Sequence, residues 1–183
     1  ITLPNGSFRK IDYNKYGQRL NWVAQQGSTQ WCETWRHDAT GRLTDGYSFA
    51  ACTGYSDSTH AVTTTGSYGR RYQYTYSGFG SVTTITKKLL KAGTSDFLYQ
   101  ESKSFILYTS IDYLRYLKWT EVSYPTETID GSNPATTVYD YSFYTAYPLA
   151  VKRRTATLPS IATGQNGSGS AFVAKAWFES NGL

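Results

Sequence analysis

No stretch of this sequence approaches 18 consecutive apolar residues, so a transmembrane helix is not expected. Methionine is absent, proline occurs 5 times, and the chain opens on Ile1 without a signal-peptide pattern. We therefore read it as a mature or excised segment of something longer. Histidine is limited to His37 and His60, and there is no His-Glu-x-x-His, no Gly-x-Ser-x-Gly and no Gly-rich phosphate loop. Those gaps remove the usual constellations for metal-assisted hydrolysis, acyl transfer and nucleotide binding. Catalysis, a cofactor and a bound metal are not expected.

Cysteine is nearly absent as well. Cys32 and Cys52 are the only pair, and they lack the Cys-x-x-Cys spacing of metal and redox sites. They bracket residues 37–43. A bond between them would close a loop of about 20 residues and contribute roughly 3 kcal/mol through chain entropy. A disulfide is the expectation in a strand-rich extracellular chain, with two buried thiols as the alternative.

Aromatic residues are abundant instead. They reach 16%, with 17 Tyr and 5 Trp, while all hydrophobic residues together reach 39% of the 183 positions. Amphipathic aromatics without a greasy majority describe a strand-rich protein, long enough for one all-β domain. The net charge of +5 comes from short groups such as Arg70-Arg71, Lys87-Lys88 and Lys152-Arg153-Arg154. These read as solvated strand ends that discourage edge pairing. Nucleic acid is not expected as a partner, because such modules gather their charge on one face; glycans stay open. Asn5-Gly6-Ser7 and Asn166-Gly167-Ser168 are N-glycosylation sequons that also read as Asn-Gly turns.

Period-2 alternation runs through the chain. In Arg71-Tyr72-Gln73-Tyr74-Thr75-Tyr76 the tyrosines share one face of a half-buried strand. Strands are also expected over 114–124, 137–144, 151–158 and 170–178, with a turn at Asp130-Gly131-Ser132-Asn133-Pro134 and a loop at 164–170. Lys87-Lys88-Leu89-Leu90-Lys91 suits a short helix as well as a strand end. The tryptophans, at 22, 31, 35, 119 and 177, serve either as cross-strand ladders or as a sugar-stacking platform.

One pattern returns in degraded copies: an aromatic residue, Asp or a short polar stand-in, two variable residues, Gly, and soon an aliphatic residue. His37-Asp38-Ala39-Thr40-Gly41-Arg42-Leu43 is the fullest copy. Tyr13-Asn14-Lys15-Tyr16-Gly17-Gln18-Arg19-Leu20 is a second, read with one residue inserted before Arg19. Tyr76 to Val82, with Gly80, is a third, and Phe178 to Leu183, with Gly182, a fourth. Tyr139-Asp140-Tyr141-Ser142 lacks the Gly. Such a unit is a strand, a tight turn in which Gly takes positive φ, and a second strand.

The pattern resembles the tyrosine-aspartate (YD) repeat, Tyr-Asp-x-x-Gly-Arg-Leu, of rearrangement-hotspot (Rhs) proteins, found also in the shells of insecticidal toxin complexes and in teneurins. The resemblance implies an array of β-hairpins forming an extended, curved or spiralling antiparallel sheet, one able to close into a tube or shell. Residues 1–183 would be a single all-β domain or a slice of a longer YD-repeat array. The implied function is a structural scaffold outside the cell or on its surface, a shell, stalk or filament component without membrane insertion. Its partners would be neighbouring repeats or copies of itself, since the chain ends inside a motif copy and hairpin stacking needs a neighbour. A carbohydrate-binding or adhesive β-domain and a toxin-encapsulating shell segment are the alternatives.

Overall fold

The computed structural model describes residues 6–27, 29–48, 52–56, 58–59, 61–64, 70–78, 80–110, 113–147, 149–165 and 167–179, with the backbone alone at Cys52, Thr53, Thr64 and Tyr113. Among these residues the only helical element is a 3₁₀ turn at Thr163–Gln165. The strands are β1 (Phe8–Tyr13), β2 (Arg19–Gln26), β3 (Thr29–His37), β4 (Leu43–Tyr47), β5 (Cys52–Ser56), β6 (Ala61–Thr64), β7 (Arg71–Ser77), β8 (Val82–Leu90), β9 (Phe97–Ser110), β10 (Tyr113–Ser123), β11 (Ala135–Phe143), β12 (Val151–Thr157) and β13 (Val173–Trp177). Lys87 to Leu90 continue β8 rather than starting a helix. The β-branched run Val82-Thr83-Thr84-Ile85-Thr86 has already committed that segment to extended backbone.

Eleven strands form one antiparallel sheet in the order β1-β2-β3-β4-β7-β8-β9-β10-β11-β12-β13, and β5 and β6 pair separately. The sheet is open: β1 and β13 end it and do not pair with each other. Closure into a tube or shell is therefore not achieved by these strands. Packing divides the chain into two compact units, residues 1–75 with 87–99, and residues 76–86 with 100–183.

The first unit holds the buried hydrophobic side chains of the described residues, Val23, Cys32 and Tyr47. Val23 pairs with Cys32 across β2 and β3, on the face that also carries Asn21 and Thr34. Strand β5 packs against β3, and the Tyr55 hydroxyl donates to Asp12 Oδ2 at 3.2 Å. Burying Val23 contributes about 1.5–3 kcal/mol. The polar members of this face are satisfied in a row. Asn21 Nδ2 donates to Asp12 Oδ2 at 3.0 Å, and Thr34 Oγ1 donates to Asn21 Oδ1 at 2.6 Å. The expected Cys32–Cys52 bond is not present among the described residues. Cys32 is a small apolar side chain in this core, 1% exposed, and the Cys52 side chain lies outside the described residues.

The second unit has little of this burial. Among its described residues only Ser102 is buried, so the sheet there is half exposed and depends on cross-strand pairs. Hydroxyls pair between β8 and β9, Thr84 with Ser104 at 2.8 Å and Thr86 with Ser102 at 3.1 Å. Farther along, Glu121 accepts from Lys118 Nζ at 3.0 Å and from the Tyr139 hydroxyl at 3.0 Å, while Lys103 Nζ sits 3.6 Å from its other oxygen. The Lys118 bond is the main reason the Glu121 carboxyl is held below its usual range. Trp119 is the extra residue of a bulge, because Lys118 opposes Phe105 and Thr120 opposes Ser104.

Candidate functional site

The β1–β2 and β3–β4 turns are built alike. Asn14 N–H donates to Gln18 O at 2.8 Å and Gly17 N–H to Asn14 O at 3.0 Å. Asp38 N–H donates to Arg42 O at 2.9 Å and Gly41 N–H to Asp38 O at 2.9 Å. The side-chain oxygen of Asn14 accepts from Tyr16 N–H and Gln18 N–H, both at 2.9 Å. That of Asp38 accepts from Thr40 N–H and Arg42 N–H, both at 2.9 Å. Each register shifts at the residue before the turn, Tyr13 or His37. Gly17 and Gly41 have φ of +75° and +84°.

This match corrects one reading of the sequence. Gln18 is not an insertion: it holds the place of Arg42, and Arg19 holds the place of Leu43. Gln18 also reaches the neighbouring turn, where its Nε2 donates to Gly41 O at 2.6 Å. Arg19, displaced from the motif, instead pairs with Glu33 at 3.1 Å and stacks 3.9 Å over Trp35. Arg42 Nε donates to Asp38 Oδ2 at 2.7 Å.

The remaining copies differ. At 76–82 the gap between strands is one residue shorter, from Ser77 to Val82, and Gly80 has φ of +91°. Its carbonyl accepts from the Tyr116 hydroxyl at 3.1 Å, as Gly41 accepts from Gln18. Tyr139-Asp140 is not a turn: both residues lie inside β11. Phe178 follows β13, with its N–H on Lys152 O at 3.0 Å. Gly182, both sequon asparagines Asn5 and Asn166, and His60 lie outside the described residues.

Two testable consequences follow from the Asp38 turn. The side-chain bond from Thr40 first, then the backbone N–H of Arg42, holds the Asp38 carboxyl well below the usual carboxylate range. A carboxyl more acidic folded than unfolded stabilises the fold most above about pH 4 and progressively less as pH falls. Asp38→Asn keeps the acceptor, as Asn14 does naturally. We expect its melting temperature to change less than that of the parent between about pH 5 and pH 2. Gly41→Val should cost more than about 1 kcal/mol in urea unfolding. The β-branched residue resists φ of +84°, and its Cβ would sit 3.0 Å from Gln18 Nε2.

Concave surfaces also lie away from the turns. In the first unit, Trp35, Gly46 and Tyr72 lie side by side on β3, β4 and β7. Together with Tyr74 they line a depression of about 210 Å³. A Cβ on Gly46 would touch Trp35 and Tyr74 at 3.7–4.0 Å, so these rings cover the glycine. That is ladder packing. The exposed tryptophans, Trp31, Trp119 and Trp177, stand on β3, β10 and β13, and no two of these strands are neighbours. They form no continuous stacking row.

In the second unit, a cleft of about 440 Å³ opens over β10, β11 and β12, lined by Arg115, Leu117, Tyr141, Val151, Arg154 and Phe178 among others. Tyr141 opposes Arg154 in register, and Arg115 opposes Tyr108, whose ring packs on Tyr141 and Phe143. Arg115 and Arg154 were unremarkable in the sequence, because only the pairing of β10 to β12 joins them. No group of three metal-binding side chains exists among the described residues. No protein-family model matches the chain, and neither does any curated protein.

Proposed function

We propose that this chain is a section of an extracellular or cell-surface scaffold assembled from YD-type β-hairpins, without catalysis of its own. The observation that carries the reading is the bond-for-bond likeness of the Asn14 and Asp38 turns, joined by the Gln18 amide on Gly41 O. A hairpin whose turn docks on the next one is the unit of a stackable array. The half-exposed second unit supports the same reading, since such a sheet gains by adding neighbours at its edge strands. Those neighbours are further repeats of a longer chain or other copies of this one, joined head to tail. The scattered tryptophans count against an adhesive surface built on a tryptophan stacking row.

The test is replacement of the first turn by the second: Asn14→Asp, Lys15→Ala, Tyr16→Thr and Gln18→Arg together. Interchangeable repeat turns predict a folded sheet with a melting temperature within a few degrees of the parent. Loss of cooperative unfolding would overturn the repeat reading. Labelling of intact cells by an antibody to this segment is expected. Labelling only after permeabilisation would overturn the location.

A further inference from the structure

We propose that the Arg115–Arg154 cleft binds an acidic saccharide, a pyranose carrying one carboxylate. This is a ligand site beyond the scaffold role. Both arginines line this one cleft together with Tyr141, and Arg154 opposes Tyr141 in register. Neither has a carboxylate within ion-pair distance among the described residues. Arg115 is held in place by donating one N–H to Leu149 O at 2.9 Å, which leaves the rest of its fork for a ligand. Leu149 itself sits at φ of +73°, presenting that carbonyl from the β11–β12 loop.

The apolar elements are equally fixed. The Tyr141 hydroxyl donates to Lys118 O at 2.7 Å, which pins the ring. Phe178 is tied through both backbone groups, its N–H to Lys152 O and its carbonyl to the Tyr144 hydroxyl, yet its side chain is 39% exposed. Pinned aromatic rings beside Leu117 and Val151 offer a surface for the C–H face of a sugar ring at little entropic cost. A volume of about 440 Å³ accommodates one or two sugar rings.

Charge selects the acid. Arg115 and Arg154 contribute two positive charges to the cleft and Glu179 one negative charge. The balance suits a single carboxylate, held in the bidentate manner of arginine, and disfavours phosphates that carry more charge. Glu179 is left to accept a bond from a sugar hydroxyl.

The experiment is a calorimetric titration of the 183-residue protein with a uronic acid disaccharide, its methyl ester, the neutral disaccharide, octanoate and inorganic phosphate. We expect saturable binding of the uronate, and at least tenfold weaker binding of all four others. Arg154 is exposed on its strand, so Arg154→Gln should fold as the parent does and lose at least tenfold in uronate affinity. Should that variant fail to fold, the comparison of uronate with its methyl ester on the parent protein decides alone. Equal binding of the acid and its ester would overturn the proposal. So would octanoate or phosphate binding as tightly as the uronate, a folded Arg154→Gln with unchanged affinity, or no binding at millimolar uronate. The turn exchange at residues 14–18 does not touch this cleft, so the two readings fail separately.

Discussion

Gly78→Ala is expected to destabilise the protein by about 3 kcal/mol, the sum of two independent penalties. Gly78 has φ of +75°, a conformation that any L side chain resists. A Cβ there would also stand 2.5 Å from the Val82 carbonyl oxygen. That oxygen belongs to the backbone where β8 begins, so it cannot rotate away as the end of a side chain would. The comparison that isolates the second penalty is Gly80→Ala, two residues on. Gly80 has φ of +91°, but nothing lies within 4 Å of its added Cβ. That variant should cost only about 1 kcal/mol. Guanidinium unfolding of the two variants beside the parent gives the difference. Equal losses would mean that the turn moves freely enough to absorb the clash, and that the close approach of Gly78 to β8 does not set the hairpin.

This contrast also marks how much the sequence disclosed. Strand existence was legible, because alternation and turn residues are local: Arg71 to Tyr76 lies within β7, and the expected strands 137–144 and 151–158 overrun β11 and β12 by one residue each. The positive φ of Gly17, Gly41 and Gly80 was legible for the same reason. Alignment of the repeat was not. Counting from the aliphatic end placed Arg19 opposite Arg42, whereas the hydrogen bonds place Gln18 there. Side-chain type misled, because the position needs a backbone N–H for the Asx oxygen and accepts either side chain. The passage of the sheet from β4 to β7, with β5 and β6 pairing apart, had no local signal. The arginine cleft was invisible for a like reason. Arg115 and Arg154 are far apart in the chain, and only the folded arrangement of β10, β11 and β12 brings them to one cleft.

The second large effect is expected inside the first unit, at Thr34. This side chain is 7% exposed, and Asn21 beside it is 5% exposed. Asp12, Asn21, Thr34 and Tyr47 oppose one another in turn across β1 to β4. The Thr34 hydroxyl serves Asn21 Oδ1 at 2.6 Å and Leu20 O at 3.1 Å. Thr34→Val conserves shape and removes that single donor, leaving the buried Asn21 Oδ1 without it. A loss of about 2 kcal/mol is expected, because a buried polar group deprived of a partner costs its desolvation. Asn21→Leu should cost a similar amount, since it takes the acceptor from Thr34 and the 3.0 Å donor from Asp12. The double variant is the decisive measurement. If the row acts as one network, Asn21→Leu with Thr34→Val should cost less than the two singles added, by about 1 kcal/mol, because neither polar partner remains to be stranded by the other's loss. Strict additivity would show that the row is a set of separate bonds. The four strands would then owe their register to Val23 and Cys32 rather than to the polar row.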